Sequence, residues 1–290
     1  ESVGDPPGAS VTGDIAFSSP PDHDRPQDEN GDNVYEFSVE FETNYQGITI
    51  YTAAITVNVL DDDLYVPSLI GDVVTGESNA FGRSVELDAN GTTLIVGDAN
   101  SESNRGSVHV YTFDGTNWIQ KGNTIQGPGN GDGVDRWGEV VSVNADGSII
   151  AAGGPYTDFP PIYNLGSVKV YEWINNVWSQ KGADLVPENG QYGRNEFGGK
   201  STALNDSGEI IVIGNIIYGD DESEFSNGSV DVYEFLNDSW SIKGSKIIGV
   251  TNRNNREYVG SSVSVNAAGN VIAYGAPGWA NPYTFSGQVK

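Results

Sequence analysis

The sequence predicts an all-β chain whose larger part is an incomplete β-propeller of about three and a half four-stranded blades. Three observations carry this. A seventeen-residue segment is written three times: GSVHVYTFDGTNWIQKG at 106–122, GSVKVYEWINNVWSQKG at 166–182 and GSVDVYEFLNDSWSIKG at 228–244. Apolar and polar residues alternate at period two around Asx-Gly turns, the mark of antiparallel hairpins. No stretch holds the 3.6-residue apolar period of an amphipathic helix. Four short strands per repeat of near 60 residues suit a propeller blade better than the alternatives, a solenoid with its shorter coils or a sandwich with its less similar strands.

Each repeat opens on an aromatic or apolar residue and glycine: Phe81-Gly82, Trp137-Gly138, Phe197-Gly198 and Val259-Gly260, with glycine spacings of 56, 60 and 62. A first strand follows, alternating as in SVEL at 84–87 or SVSV at 262–265. Then comes a tight turn: DANG, NADG, NDSG and NAAG in the four copies. The second strand is an apolar run ending in glycine, as in LIVGDA at 94–99 and IAYGAP at 272–277. A loop of variable length leads to the third strand, G-S-V-x-V-Y, and the fourth, W-x-x-K-G. Between the two valines of the third strand stand His109, then Lys169, then Asp231. A position that exchanges imidazole, ammonium and carboxylate is not held by one chemistry. The alternation predicts Val108/Val110, Val168/Val170 and Val230/Val232 turned into the stack and the three polar residues turned away from it.

Residues 65–290 resemble FG-GAP repeats, the blades of the integrin α-subunit propeller and of many large bacterial surface proteins. Phe81-Gly82 and Phe197-Gly198 carry the FG, and Gly275-Ala276-Pro277 the GAP, with Gly153-Gly154-Pro155 and Gly97-Asp98-Ala99 as degenerate copies. The resemblance implies a propeller domain over 62–290. Calcium-binding repeats of that family have a D-x-D-x-D-G loop between strands one and two. Here the loop has shrunk to turns such as Asn144–Gly147, too few oxygens for the six to eight that calcium takes, so these turns are read as structural. The family usually has seven blades. Three full repeats and a fourth running into SGQVK lead to the expectation of further blades beyond Lys290, and the opening ESVGDPPG reads as an excerpt of a longer chain.

Residues 1–61 stand outside the repeat and resemble the C-terminal half of a cadherin-like repeat, a partial cadherin/Ig-like β-sandwich of extracellular type. Pro21–Asp24 (PDHD) stands where that family has its L-D-R-E calcium motif, and VNVLDDD at 57–63 where it has the closing D-x-N-D. Thr43 stands where an aspartate of the internal D-x-D is expected. The residues speak for themselves as well. Asp22 and Asp24, then Asp28, Asn30 and Asp32, then Asp61 and Asp63 place oxygens at alternate positions. Oxygen-only clusters without histidine or cysteine suit calcium rather than zinc. A solvated acidic loop is the alternative.

Forty acidic against 14 basic residues give a net charge of −26. Such a chain repels nucleic acid and anionic membrane and attracts cations. It has no cysteine and only two histidines, His23 and His109, which excludes disulfides and thiolate metal sites and nearly closes off histidine catalysis. No apolar run reaches a membrane span, so no membrane insertion is expected of this segment. TFDGTNW at 112–118 is similar to the S-x-D-x-G-x-T-W box of sialidase-type propellers, but its aspartate and glycine are adjacent, and the repeat accounts for Trp118. Asp220/Asp221 reads as solvated charge rather than a glycosidase pair. GPGNGDG at 127–133 lacks the lysine and helix of a phosphate loop.

The expected function is adhesion or ligand binding without catalysis, in a large secreted or cell-surface protein whose partner is an extracellular protein or glycan. The rival is an accessory carbohydrate-binding region of a secreted polysaccharide-degrading enzyme, and a third reading is a passive spacer. The ligand face is placed by the loops. Connections between strands alternate between the two propeller faces. The strand 1–2 turns are short and uniform. The strand 2–3 loops vary, with glycine-to-glycine separations of 9, 13, 14 and 12. They carry Tyr156, Phe159 and Tyr163, then Tyr218 and Phe225, then Trp279, Tyr283 and Phe285. Variable loops on a rigid scaffold are where binding usually sits; the alternative is that these rings pin their own loops.

Overall fold

A computed structural model describes residues 34–43, 49–58, 70–129, 133–187, 201–216, 227–249, 257–278, 280–281, 284–285 and 287–290. The chain falls into two units, Glu1–Ser68 and Leu69–Lys290. In the first, strands β1 (Val34–Thr43) and β2 (Thr49–Asn58) pair antiparallel, Val34 opposite Asn58 and Thr43 opposite Thr49. Of the cadherin-like sandwich expected there, the described residues contain this one two-stranded ladder.

The second unit is a β-propeller-like arrangement of four small antiparallel sheets. The first blade holds β3 (Phe81–Leu87), β4 (Thr93–Asp98), β5 (Ser107–Phe113) and β6 (Trp118–Gln120), with the short β7 (Ile125–Gln126) returning alongside β5. The second holds β8 (Val140–Val143), β9 (Ile149–Gly154), β10 (Ser167–Ile174) and β11 (Val177–Gln180). The third holds β12 (Ser201–Leu204), β13 (Ile210–Asn215), β14 (Ser229–Leu236) and β15 (Ser239–Ile242), with β16 (Ile247–Ile248) on β14. In the fourth, β17 (Ser262–Val265) and β18 (Ile272–Ala276) are followed by a two-stranded hairpin of β19 (Ala280–Asn281) and β20 (Thr284–Phe285), and then by β21 (Gln288–Val289) on β18. The strands pair in chain order because each connection is a hairpin too short to cross the sheet.

The turn chemistry of the sequence is visible in the hairpins. Asn144 Oδ1 accepts the amides of Ser148 (3.0 Å) and Ile149 (2.9 Å), and Asn205 Oδ1 those of Glu209 (3.1 Å) and Ile210 (2.9 Å). Asn266 does the same with Asn270 and Val271. These Asx turns are why the position is Asn or Asp in every copy. The turns are also linked to one another: the amide of Ala89 donates to Ala145 O, that of Ala145 to Asp206 O, and that of Asp206 to Ala267 O.

Blades stack face to face, and the core lies between them. Ile95, Val108 and Val110 of the first blade pack on Val141, Val143, Ile150 and Ala152 of the second. Val168 and Val170 meet Leu204, Ile211, Ile213 and Tyr233 of the third. Val212 and Val230 meet Val259, Val263 and Tyr274 of the fourth. Each fully buried valine or isoleucine contributes about 1.5–3 kcal/mol. The valines of the third strand therefore face the following blade.

In the second and third blades the polar residue between those valines faces the preceding blade, which corrects the sequence expectation there, while His109 of the first blade turns away from the stack as expected and is half-buried. The second and third blades are covered on both faces, so turning away from one neighbour there means turning toward the other. Asp231 is 1% exposed. Its carboxylate lies 3.4 Å from Lys246 Nζ, and Lys169 Nζ lies 3.3 Å from the Asp184 carboxylate. In the first blade, His109 Nδ1 meets Thr124 Oγ1 at 3.3 Å. Each partner stands fifteen residues further on, because the returning chain pairs with the third strand in the same register in all three blades: Val108 opposite Ile125, Val168 opposite Leu185, Val230 opposite Ile247. The variable position is one half of a cross-strand pair whose other half varies with it.

Candidate functional site

The repeated tryptophan and the K-G pair hold adjacent blades together. The Trp178 indole donates to Lys121 O (2.9 Å), and the Trp240 indole to Lys181 O (2.8 Å). A Cβ at Gly122 would stand 2.6 Å from the Trp173 ring, and one at Gly182 2.6 Å from the Trp240 ring, so glycine makes room for the neighbour's aromatics. The Lys121 ammonium donates to Gly147 O (2.8 Å) in the next blade's turn and lies 5.5 Å and 5.4 Å from the ring centres of Trp173 and Trp178. Burial pulls its pKa down, against the upward pull of Asp88 and Asp146. These residues are recurrent because they form the inter-blade contact.

The same contact begins before the first blade. The Trp118 indole donates to Ile70 O (3.2 Å), and a Cβ at Gly71 would meet Phe113 and Trp118 as the one at Gly122 meets Trp173 and Trp178. Ile70–Gly76 thus occupies, beside the first blade, the place that Lys121–Gly127 occupies beside the second. The signal was in the sequence: GDVVTG at 71–76 repeats the frame of GNTIQG at 122–127 and GSKIIG at 244–249. Reading the repeat from its FG glycine hid it.

The strand 2–3 loops are on the face opposite the Asx turns. In the first blade the loop contains a single left-handed turn, Ser101–Asn104, with Glu102, Ser103 and Asn104 at positive φ. In the second blade it is fastened at several points. Asp158, buried, accepts the Asn164 amide at 2.7 Å, Phe159 and Ile162 exchange both backbone hydrogen bonds, and the Gly166 amide reaches Thr157 O. Of the candidate rings on this loop, Tyr156 lies under the Arg136 guanidinium, 5.4 Å from ring centre, and Phe159 is half-buried. Tyr163 is 55% exposed at the tip. Tyr156 and Phe159 therefore pin the loop, and Tyr163 is what it presents. Tyr218, Phe225, Trp279 and Tyr283 lie outside the described residues, and Phe285 is placed only as a residue of β20. The calcium candidates Asp22, Asp24, Asp28, Asn30, Asp32, Asp61 and Asp63 also lie outside them.

The turn on the opposite face at Asn144–Gly147 is closed by its own groups. Asp146 accepts the Ser148 amide at 2.9 Å, and the Ser148 hydroxyl holds its carboxyl below the usual carboxylate value, with the Lys121 charge adding to this. Its oxygens are engaged in turn geometry.

One further group of polar side chains lies in a cleft of about 540 Å³ against the first blade, lined by Asp98, Ser107, His109, Tyr111 and Thr124 among others. Ser107 Oγ is 3.1 Å from His109 Nε2, within reach of a nucleophile–base pair. The other imidazole nitrogen meets the Thr124 hydroxyl, and Asp98 is bonded by Ser78. Burial holds the imidazole pKa below its ordinary value, with Asp98 opposing. Positions 107, 109 and 124 correspond to Ser167, Lys169 and Asp184 and to Ser229, Asp231 and Lys246. The Ser–His pair occupies a repeat position whose partners form ion pairs elsewhere.

No family model matches the sequence, and no curated protein matches it. Among solved structures, the chain is similar to a functionally unknown protein from Desulfotomaculum acetoxidans, at 11% identity and a TM-score of 0.44 over 88% of this chain and 62% of that one. It is similar to Kuenenia stuttgartiensis hydrazine synthase at 14% identity and a TM-score of 0.42, over 71% and 57%. It is also similar to a Niastella koreensis GH74 enzyme at 14% identity and a TM-score of 0.35, over 66% and 29%. The chain spans less than two thirds of each.

Proposed function

We propose that this chain is a non-catalytic adhesion or ligand-binding segment of a large secreted or cell-surface protein, built on FG-GAP-type blades and taking an extracellular protein or glycan on its strand 2–3 loops. The observation that carries this reading is the loop Asp158–Asn164. It is fastened by its own hydrogen bonds and by two part-buried rings, and it presents a third ring, Tyr163, to solvent. An aromatic held in place before binding loses little conformational freedom on contact, which favours recognition. The N-terminal acidic segment adds calcium to the reading, through the oxygen-only set from Asp22 to Asp63.

The test is a binding screen of the full chain against arrayed glycans and extracellular proteins, followed by two variants. Tyr163→Ala weakens attachment about tenfold or more with the melting temperature unchanged, and Asp146→Ala on the opposite face leaves attachment intact. Loss of binding in Asp146→Ala with none in Tyr163→Ala would place the ligand on the other face. Calcium raises the melting temperature of the chain, and Asp22→Ala or Asp61→Ala removes most of the rise; a melt indifferent to saturating calcium removes the metal from the reading.

A further inference from the structure

Three arginines lie among the described residues: Arg83, Arg105 and Arg136. Arg83 holds the Glu139 carboxylate at 2.7 Å. Arg105 donates from Nε to Gly127 O (2.6 Å) and lies 3.4 Å from the Glu102 carboxylate. Arg136 differs: among the described residues its side chain makes no hydrogen bond and no ion pair, in a chain with 40 acidic residues. Its guanidinium lies 5.4 Å from the centre of the Tyr156 ring, a cation–π contact that leaves the N–H donors for another acceptor. The acidic side chains beside it are engaged inside the loops. Asp135, buried, accepts the Gly129 amide (2.6 Å), and Asp158, buried, accepts the Asn164 amide (2.7 Å). The fold does not require a guanidinium here. Arg136 has φ +51°, and Tyr258, at the same place in the fourth blade, has the same φ; Ala80 holds the place in the first. The Arg136 amide donates to Asn104 O of the first blade's strand 2–3 loop (2.9 Å), and the Tyr156 amide to Asp135 O (3.3 Å). Arg136 therefore lies among the loops of one face, against the loop that presents Tyr163.

We propose that Arg136 and Tyr163 form one site for an acidic glycan, the guanidinium taking an oxyanion carried on a sugar and the exposed ring stacking on a sugar face. This rests on the reading of the strand 2–3 loops as the ligand face and adds the chemical class of the ligand. A guanidinium is planar and always charged, and its fork matches two oxygens of a carboxylate or a sulfate. Held by Tyr156 before binding, it loses little freedom on contact. Tyr156 and Tyr163 are seven residues apart, a span of at most about 25 Å even when extended. The loop is folded back by the Gly166–Thr157 and Phe159–Ile162 hydrogen bonds, so a short oligosaccharide reaches both groups. The footprint favours sugar over protein, since one loop tip and one arginine offer far less than the roughly 800 Å² a side of a stable protein interface. The net charge of −26 narrows the class further. It repels polyanions at long range, which favours a glycan with isolated acidic groups over one charged at every sugar.

The full chain is tested on a glycan array that prints neutral oligosaccharides beside the same chains bearing one uronate or one sulfate, with titration calorimetry on the pairs that bind. The acidic member of a pair is expected to bind about tenfold or more tightly than the neutral one, and the uronate and sulfate arms tell which oxyanion is taken. Arg136→Gln lowers the acidic member to the level of the neutral one. Arg136→Lys recovers only part of the difference, because an ammonium lacks the fork. Tyr163→Ala weakens both members. Should Arg136→Gln lower the melting temperature, Arg136→Lys keeps stem and charge, and its partial loss gives the same readout. Equal binding of neutral and acidic members overturns the proposal, as does an acidic preference that persists in Arg136→Gln; the loop face then still stands if Tyr163→Ala weakens attachment. Binding untouched by Tyr163→Ala removes the loop face and the proposal with it. A parental chain that binds no glycan overturns the proposal, and one that instead holds an acidic peptide through Arg136 assigns the site to a protein partner.

Discussion

Leu87 and Val143 hold the same place in adjacent repeats, one residue before the turn that ends the first strand, yet Leu87 is 51% exposed and Val143 5%. The second and third blades are covered on both faces, whereas no blade lies against the outer face of the first among the described residues. The residue types are alike at both kinds of position, so burial here belongs to the neighbour, not to the residue. That teaches how to read the polar positions too. A charge on a β-strand is usually assigned to a solvated face, but inside a stack of blades there is no solvated face to assign it to. The chain therefore supplies a partner from the returning strand, Lys169 with Asp184 and, with signs reversed, Asp231 with Lys246.

The sharpest way to break the comparison is to place a carboxylate at both positions. Val143→Asp puts an unpaired charge between blades and is expected to cost more than about 4 kcal/mol, enough to unfold a marginal chain. Leu87→Asp, its equivalent on the bare face, is expected to stay within about 0.5 kcal/mol of the parent at dilution. Denaturant unfolding of the two variants measures the difference, and equal losses would mean that the first blade is covered in solution.

The paired charges give the next effect. Lys246→Ala leaves the Asp231 carboxylate without its ammonium partner in the interior and is expected to cost about 3–5 kcal/mol. Lys169→Ala, whose partner Asp184 keeps more contact with water, is expected to cost about 1–2 kcal/mol. Exchanging the third-blade pair, Asp231→Lys with Lys246→Asp, recreates the arrangement of the second blade and should recover most of the loss. A double variant no better than Lys246→Ala would show that the pair is not interchangeable in sign.

Smaller again is the indole stitch. Trp178→Phe keeps the ring and removes the donor to Lys121 O, for an expected loss of about 1 kcal/mol in the same unfolding assay. The smallest effect concerns His109 on the bare face. Burial lowers its pKa in the folded chain below the ordinary 6.5, with Asp98 pulling the other way. The unfolded chain then binds the proton more readily, so this residue's contribution is intact above 6.5 and is lost as pH falls below it. Replacing it by His109→Asn should flatten that part of the melting-temperature profile, and a variant whose profile overlays the parent's would remove His109 from the acid response.

Four blades, their strand order and their turns were legible in the sequence because each depends on local chemistry. Asn144, Asn205 and Asn266 close their turns with their own side chains, and the valines alternate with the pleat. The frame 70–76 was also there to be read, once the repeat is started at K-G instead of F-G. The candidate site was legible only in part. Tyr156, Phe159 and Tyr163 were found as a group of loop aromatics, but nothing local separates the two that brace the loop from the one that is displayed, since that depends on Arg136 and on the loop's closure by Asp158.

By itself the sequence determined the repeat, the all-β class and the absence of thiol chemistry, all of which follow from residue type and spacing. It determined as well that positions 109, 169 and 231 do not share a chemistry. Only the tertiary structure decided where those positions lie. A strand's period of two sorts side chains onto two faces but does not say what covers either face, and the stacking of blades makes one blade's outside the next one's inside. The pairing of Asp231 with Lys246, the seating of Trp178 over Gly122 and the burial of Val143 where Leu87 is exposed are all consequences of that stacking.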